Sequence, residues 1–170
     1  MKGEKMKELY LLRHAKSDWD DDSISDHERP LNKRGFRDAP AMGNLMKREG
    51  MVPDLVVSST ALRAKTTAEL VTKEINRKPA DIILMGSLYL ASAAEILAQI
   101  RQTDESTERL LLVAHNPGIT NLVNRLAGNP VNSIEMPTCG LAQFIFPGKW
   151  CDANYANFRL IHFYTPKHNL

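Results

Sequence analysis

The sequence predicts an α/β domain built on a mostly parallel sheet. Short apolar runs alternate with longer amphipathic segments along the whole chain, and no low-complexity stretch, internal repeat or Pro/Gly-rich linker divides them. The 170 residues, 43% apolar and 25% charged, suffice for one sizeable core and are too few for two, so a single domain over residues 1–170 is expected.

The elements follow in order. Leu9-Tyr10-Leu11-Leu12 is the first strand candidate, and Leu55-Val56-Val57, Ile82-Ile83-Leu84 and Leu110-Leu111-Leu112-Val113 are the next three. Unbroken apolar runs of this length suit strands covered on both faces, which gives four central strands. Lys33 to Arg48 reads as a helix that Pro40 should kink or restart, since a mid-helix proline loses a hydrogen bond and crowds the preceding turn. Gly50 suits its stop. Ala61 to Ile75 carries Leu62, Leu70, Val71 and Ile75 at helical spacing. Ser92-Ala93-Ala94-Glu95 has the pattern of a capping box opening a helix with Ile96, Leu97 and Ile100 inward. Asn116-Pro117 offers an N-cap followed by proline at the first helical position, and Gly128 ends that helix. Leu141 to Phe146 and Phe158 to Tyr164 read as an antiparallel pair of late strands, with Trp150 and Phe158 finishing the core.

Charge and cysteine usage narrow the functional classes. Twenty-two Lys and Arg against 20 Asp and Glu give +2, too little for a dedicated nucleic-acid binder. Cys139 and Cys151 match no zinc spacing and are too few for a disulfide framework, so a reduced, intracellular protein is expected. The start, Met1 to Glu8, is charged, and the apolar run after it is interrupted at Arg13, which fits neither a signal-peptide core nor a membrane span. The expected location is the cytoplasm.

In open α/β sheets ligands bind beyond the carboxyl ends of the parallel strands. The first strand is followed by Arg13-His14, the second by Ser58-Ser59-Thr60 and then Arg63 in the first turn of a helix, and the fourth by His115-Asn116. Two guanidinium forks, two imidazoles and exposed helix N-terminal amides on one sheet edge make a pocket for a dianion, with phosphate the obvious candidate. A neutral histidine in line with phosphorus can act as nucleophile, the cations neutralising the equatorial oxygens without a metal. His27, His162 and His168 lack this placement and read as surface or core residues. Asp18, Asp20, Asp21 and Asp22 lack calcium-loop spacing and read as a solvated loop, and Ser58 and Ser59 read as turn and capping residues.

These residues resemble a known family. Leu11-Leu12-Arg13-His14-Ala15-Lys16-Ser17 is similar to the Arg-His signature that opens the histidine phosphatase superfamily, with its phosphoglycerate-mutase-like fold. Arg29 to Gly35, Ser58 to Glu69 and Val113 to Gly118 look like its successive blocks in order, so the resemblance spans about Leu9 to Phe146. The short chain, the Arg-His-Ala-Lys opening and Met136-Pro137-Thr138-Cys139-Gly140 most resemble the small SixA-type branch, associated with removing phosphate from phosphohistidine in signalling proteins. The resemblance implies that His14 is the phosphorylated nucleophile, that Arg13 and Arg63 bind the phosphoryl group, and that His115 stabilises the transferring oxygens. Asn116 and Ser17, beside these groups in the chain, complete the expected substrate-binding set.

Two departures bear on substrate. Where the family often has a phosphate-binding asparagine, six residues past the first histidine, this chain has Asp20. Where many relatives have a glutamate proton donor, Gly86-Ser87-Leu88-Tyr89-Leu90 contains no acid; Asp18 is a substitute candidate, and Glu95 another beside its capping role. An alkoxide leaving group wants a proton, whereas imidazole, with a conjugate acid pKa of about 6.5, can be protonated from solvent. The expectation is therefore a three-layer α/β/α sandwich carrying a cofactor-free, metal-independent phosphatase for phosphohistidine in a partner protein. A small-molecule phosphomonoesterase and a non-catalytic phosphate- or phosphoprotein-binding module are the alternatives. Neither nucleic acid nor membrane is expected as a partner.

Overall fold

Strand β1 (Met6–Arg13) lies inside a six-stranded sheet because two much later strands flank it. The computed structural model describes residues 5–129 and 133–170, so Met1–Glu4 of the charged start lie outside the described residues. With β2 (Leu55–Ser59), β3 (Ile82–Met85), β4 (Arg109–Ala114), β5 (Leu141–Pro147) and β6 (Arg159–Tyr164), the strand order is β3-β2-β4-β1-β5-β6. The first four strands run parallel, with Leu9 opposite Leu110 and Val57 opposite Leu112. β5 is antiparallel to β1, and β6 to β5.

Alternation along β1 divides the core. Leu9 and Leu11 face one layer with Leu110, Leu112, Ile96, Ile119 and Phe144. Tyr10 and Leu12 face the other with Leu111, Val113, Met42, Met46 and Val71. Helices α1 (Lys33–Arg48) and α2 (Leu62–Glu74) cover the second face, and α3 (Ala93–Arg101) and α4 (Gly118–Leu126) the first, which completes the three-layer sandwich. Each fully buried leucine here contributes about 1.5–3 kcal/mol relative to exposure. A short α5 (Pro166–Asn169) ends the chain.

Four local expectations meet the structure differently. α1 is continuous through Pro40 rather than restarted; Pro40 lies on the outer side near Phe36, where solvent can satisfy the carbonyl that the proline cannot. β3 is an edge strand rather than a central one, and with β2 its only neighbour in the sheet, Ile83 and Leu84 stay exposed at 47% and 41%. α4 starts at Gly118 with Pro117 in the cap position, after a cis Asn116–Pro117 peptide. Asn116 is not the cap because its side chain is engaged elsewhere, accepting from Thr120 Oγ1 at 2.6 Å and donating to Glu135 Oε1 at 3.2 Å. Ser58 and Ser59 close strand β2 instead of forming a turn. The Ser92–Glu95 capping box is present, and its bonds occupy the Glu95 carboxylate. Trp150 is fully buried against Phe146 and donates Nε1–H to Thr107 O at 2.7 Å, so the tail finishes the core. Among the described residues no helix is long and apolar enough to cross a membrane.

Candidate active site

The carboxyl ends of β1, β2 and β4 open on a cavity of about 400 Å3 lined by Arg13, His14, Lys16, Ser17, Trp19, Asp26, Arg63, Leu90, His115, Asn116 and Thr138. The parallel arrangement dictates this meeting: Arg13 pairs with Ala114 across the β1–β4 register, so the residue after each strand, His14 or His115, leaves the sheet at the same edge. Their rings lie 5.1 Å apart. A larger cleft of about 620 Å3 between α3 and α4 shares Asn116 with it but holds none of the four convergent cations and imidazoles.

His14 is held on three sides. Its N–H donates to Ala114 O at 3.2 Å, and the N–H of Cys139 is shared between Arg13 O at 3.1 Å and His14 O at 3.0 Å. Its ring Nδ1 lies 2.8 Å from Ala15 O. A carbonyl can only accept, so the proton sits on Nδ1, and Nε2 keeps its lone pair. His14 is 7% exposed, and burial lowers its pKa from 6.5 to about 4, with the Arg63 and Arg13 charges pushing the same way. His115 is lowered to about 3, first by burial and then by His14 and Arg63. Its Nε2 meets Ser59 Oγ at 2.7 Å, while Nδ1 is buried without a partner among the described residues.

The sign of the pH effect follows. An unfolded histidine takes up a proton near 6.5 that the folded His14 refuses until about pH 4, so folding stability declines as pH falls through that window. An NMR titration is expected to find the His14 ring neutral down to about pH 4, with urea stability declining below 6.5. A ring titrating at 6.5 would contradict this.

Arg63, in the first turn of α2, is buried and pinned by Asp26: Nη1 donates to Asp26 O at 2.6 Å and Nη2 to Asp26 Oδ2 at 3.0 Å. Thr67, one turn along α2, donates to Arg63 O at 2.6 Å and accepts from Ala15 N at 2.9 Å, tying the loop after His14 to the helix that carries the guanidinium. Arg13 Nη1 donates to Met136 O at 2.9 Å. Ser17 is buried, and its Oγ accepts from Trp19 Nε1 at 3.1 Å.

The structure thus gathers Arg13, His14, Arg63, His115, Asn116 and Ser17 around one cavity. It leaves Asp18 outside the lining, with its Oδ1 accepting from Asp20 N at 2.8 Å, and Asp20 exposed. The carboxylate on the wall is Asp26, which sequence reasoning missed, as it missed Lys16, Trp19 and Thr138. Only position beside the Arg29–Gly35 block distinguished Asp26 from the other acids of that loop. His27, read as a surface or core residue, lies outside the lining, with Nε2 2.9 Å from Thr60 Oγ1 and its ring edge-on to Tyr89. Ser59 Oγ accepts from Ala61 N at 3.2 Å without being the cap of α2, whose cap position is Ala61, and the same hydroxyl meets His115 Nε2. No acid stands on Gly86–Leu90; Leu90 is at the mouth, 55% exposed.

The arrangement can bind a phosphoryl group between two arginines and present a neutral ring nitrogen to it. Comparison with known proteins gives the family. The profile of the histidine phosphatase superfamily (branch 1) matches residues 9–85. An uncharacterised chloroplast protein of Arabidopsis thaliana is 31% identical over 156 residues, covering 85% of this chain and 69% of that protein. Among solved structures, a candidate phosphohistidine phosphatase SixA from Nakamurella multipartita superposes with a TM-score of 0.81 at 25% identity, over 95% of this chain and 96% of that one. Another candidate SixA, from Agrobacterium tumefaciens, gives 0.79 at 29% identity, over 94% and 99%. A relative sharing that much of both chains, together with the profile match from β1 to β3, settles the kinship, and the chain belongs to the histidine phosphatase superfamily.

Proposed function

We propose that the protein is a phosphohistidine phosphatase that works through a phosphorylated His14. The observation that carries the reading is the His14 tautomer: Nδ1–H bonded to Ala15 O leaves Nε2 unprotonated beside Arg13, Arg63 and His115. In the first step Nε2 attacks phosphorus, the bond from phosphorus to the substrate nitrogen breaks, and its electron pair returns to the departing imidazole. Arg13 and Arg63 balance the charge on the equatorial oxygens, and His115 binds one of them. In the second step water attacks phosphorus, the Nε2–P pair returns to His14, and the water leaves one proton on phosphate and the other in solvent.

Two features favour phosphohistidine over an alkyl ester. The Gly86–Leu90 segment supplies no proton donor, which imidazole needs least. Trp19 and Leu90, 58% and 55% exposed, stand at the mouth as apolar rim contacts for a protein that presents the phosphorylated side chain. A cytoplasmic signalling protein is the proposed partner. The test is phosphate release, without added metal, from a phosphotransfer domain phosphorylated on histidine and from a panel of small phosphomonoesters. Release from the protein substrate supports the proposal; release from esters alone, or from neither, overturns it.

A further inference from the structure

Asp26 is out of keeping with a phosphate pocket. A carboxylate on the wall repels a dianion, yet this one lines the same cavity as His14 and Arg63, with its side chain 41% exposed. Its two oxygens differ. Oδ2 accepts from Arg63 Nη2 and from the Tyr89 hydroxyl. Oδ1 accepts no hydrogen bond among the described residues, and Arg29 Nε lies 3.9 Å from it. Anchoring Arg63 therefore uses one oxygen, and the second is left without a hydrogen bond among the described residues on a side chain that lines the cavity.

The chemistry of an N-phosphorylated imidazole supplies a use for it. If the far ring nitrogen carries a proton, cleavage of the P–N bond releases neutral imidazole; if it does not, the leaving group is an imidazolide anion and the step is slow. We propose that Asp26 Oδ1 accepts a hydrogen bond from the protonated far nitrogen of the substrate's ring and so selects the reactive cationic form. This rests on the phosphohistidine reading above and names the residue that would make the site specific for it. The far proton stays on the imidazole throughout, and Asp26 neither gains nor loses one.

Asp26 is suited to that task because it stays ionised: the Tyr89 hydrogen bond, and then Arg63, hold its carboxyl below the usual range. The groups facing it are Arg63 from α2, Arg29 from its own loop and Tyr89 from the turn after β3, with His27 packed on Tyr89 and His14 and His115 across the cavity. A bound imidazolium beside this carboxylate holds its proton to higher pH than it would in water.

The test compares wild type with Asp26→Asn in single turnover on a histidine-phosphorylated phosphotransfer domain across pH. Asparagine keeps an oxygen for Arg63 and Tyr89 and removes the charge. The alkaline limb of the rate of substrate dephosphorylation is expected to move down by about one pH unit, a roughly tenfold loss on that limb. An alkaline limb at the same pH in both proteins overturns the proposal, and weakened inhibition by inorganic phosphate with that unmoved limb would assign Asp26 to holding Arg63 alone. If wild type itself leaves the phosphohistidine intact while cleaving small esters, the phosphohistidine reading fails and this inference with it.

Discussion

The His14→Ala protein is expected to release phosphate at least about 10⁴-fold more slowly than wild type, and to trap no phosphoenzyme, because a missing nucleophile cannot be replaced by the binding groups around it. Arg13, Arg63 and His115 would remain in place, since none takes its hydrogen bonds from the His14 ring. Phosphate should still bind. The ring gives the fold one hydrogen bond, to Ala15 O, so its loss costs about 1 kcal/mol at neutral pH. It also removes a group that opposes folding below pH 6.5, and the variant's stability should decline less steeply in acid. Phosphate release, acid-quenched labelling and thermal unfolding check the three parts, and substantial turnover by the variant would overturn the covalent mechanism.

Gly118→Ala is expected to have the largest effect on stability. A Cβ at position 118 would lie 1.8 Å from Ala91 O and 2.9 Å from its carbonyl carbon, contacts with backbone that no rotamer can relieve. The start of α4 would have to move away from the chain that leads into α3. Overpacking of this kind costs about 3 kcal/mol or more, which for a chain of this size lowers Tm by about 6–12 °C. The damage would reach the site, because Ile119 N donates to His115 O at 2.9 Å and Leu90 at the rim immediately precedes Ala91. A melting temperature within a degree or two of wild type would show that the two segments can separate freely.

The parts of this molecule legible in the sequence are those fixed by local pattern. β1 and β4 are visible as apolar runs, α3 as a capping box, and the late strands as aromatic-rich segments around Pro147 and Gly148. Arg13, His14, Arg63 and His115 were legible because in a parallel sheet the residue after a strand has only one place to go. What stayed hidden depends on neighbours distant in sequence. The run Ile82–Leu84 reads the same at an edge as in the middle, and only the strand order makes it an edge. Asn116 has the composition of a cap, and Thr120 and Glu135 claim its side chain instead. Asp26, Ser59 and Thr67 are ordinary polar residues in sequence, and acquire roles only once Arg63, His115 and Ala15 are brought against them.

The central position of β1 governs the order in which the site can be assembled on the ribosome. Strand β1 pairs with β4 at Leu110 and with β5 at Phe144, and Arg13 Nη1 donates to the carbonyl of Met136. Until those strands have emerged, a nascent chain already carrying Arg13, His14, Asp26 and Arg63 holds the apolar Leu9–Leu12 run without either of its flanking strands. A chain interrupted before β5 therefore carries His14 on a strand that lacks one of its two flanking partners.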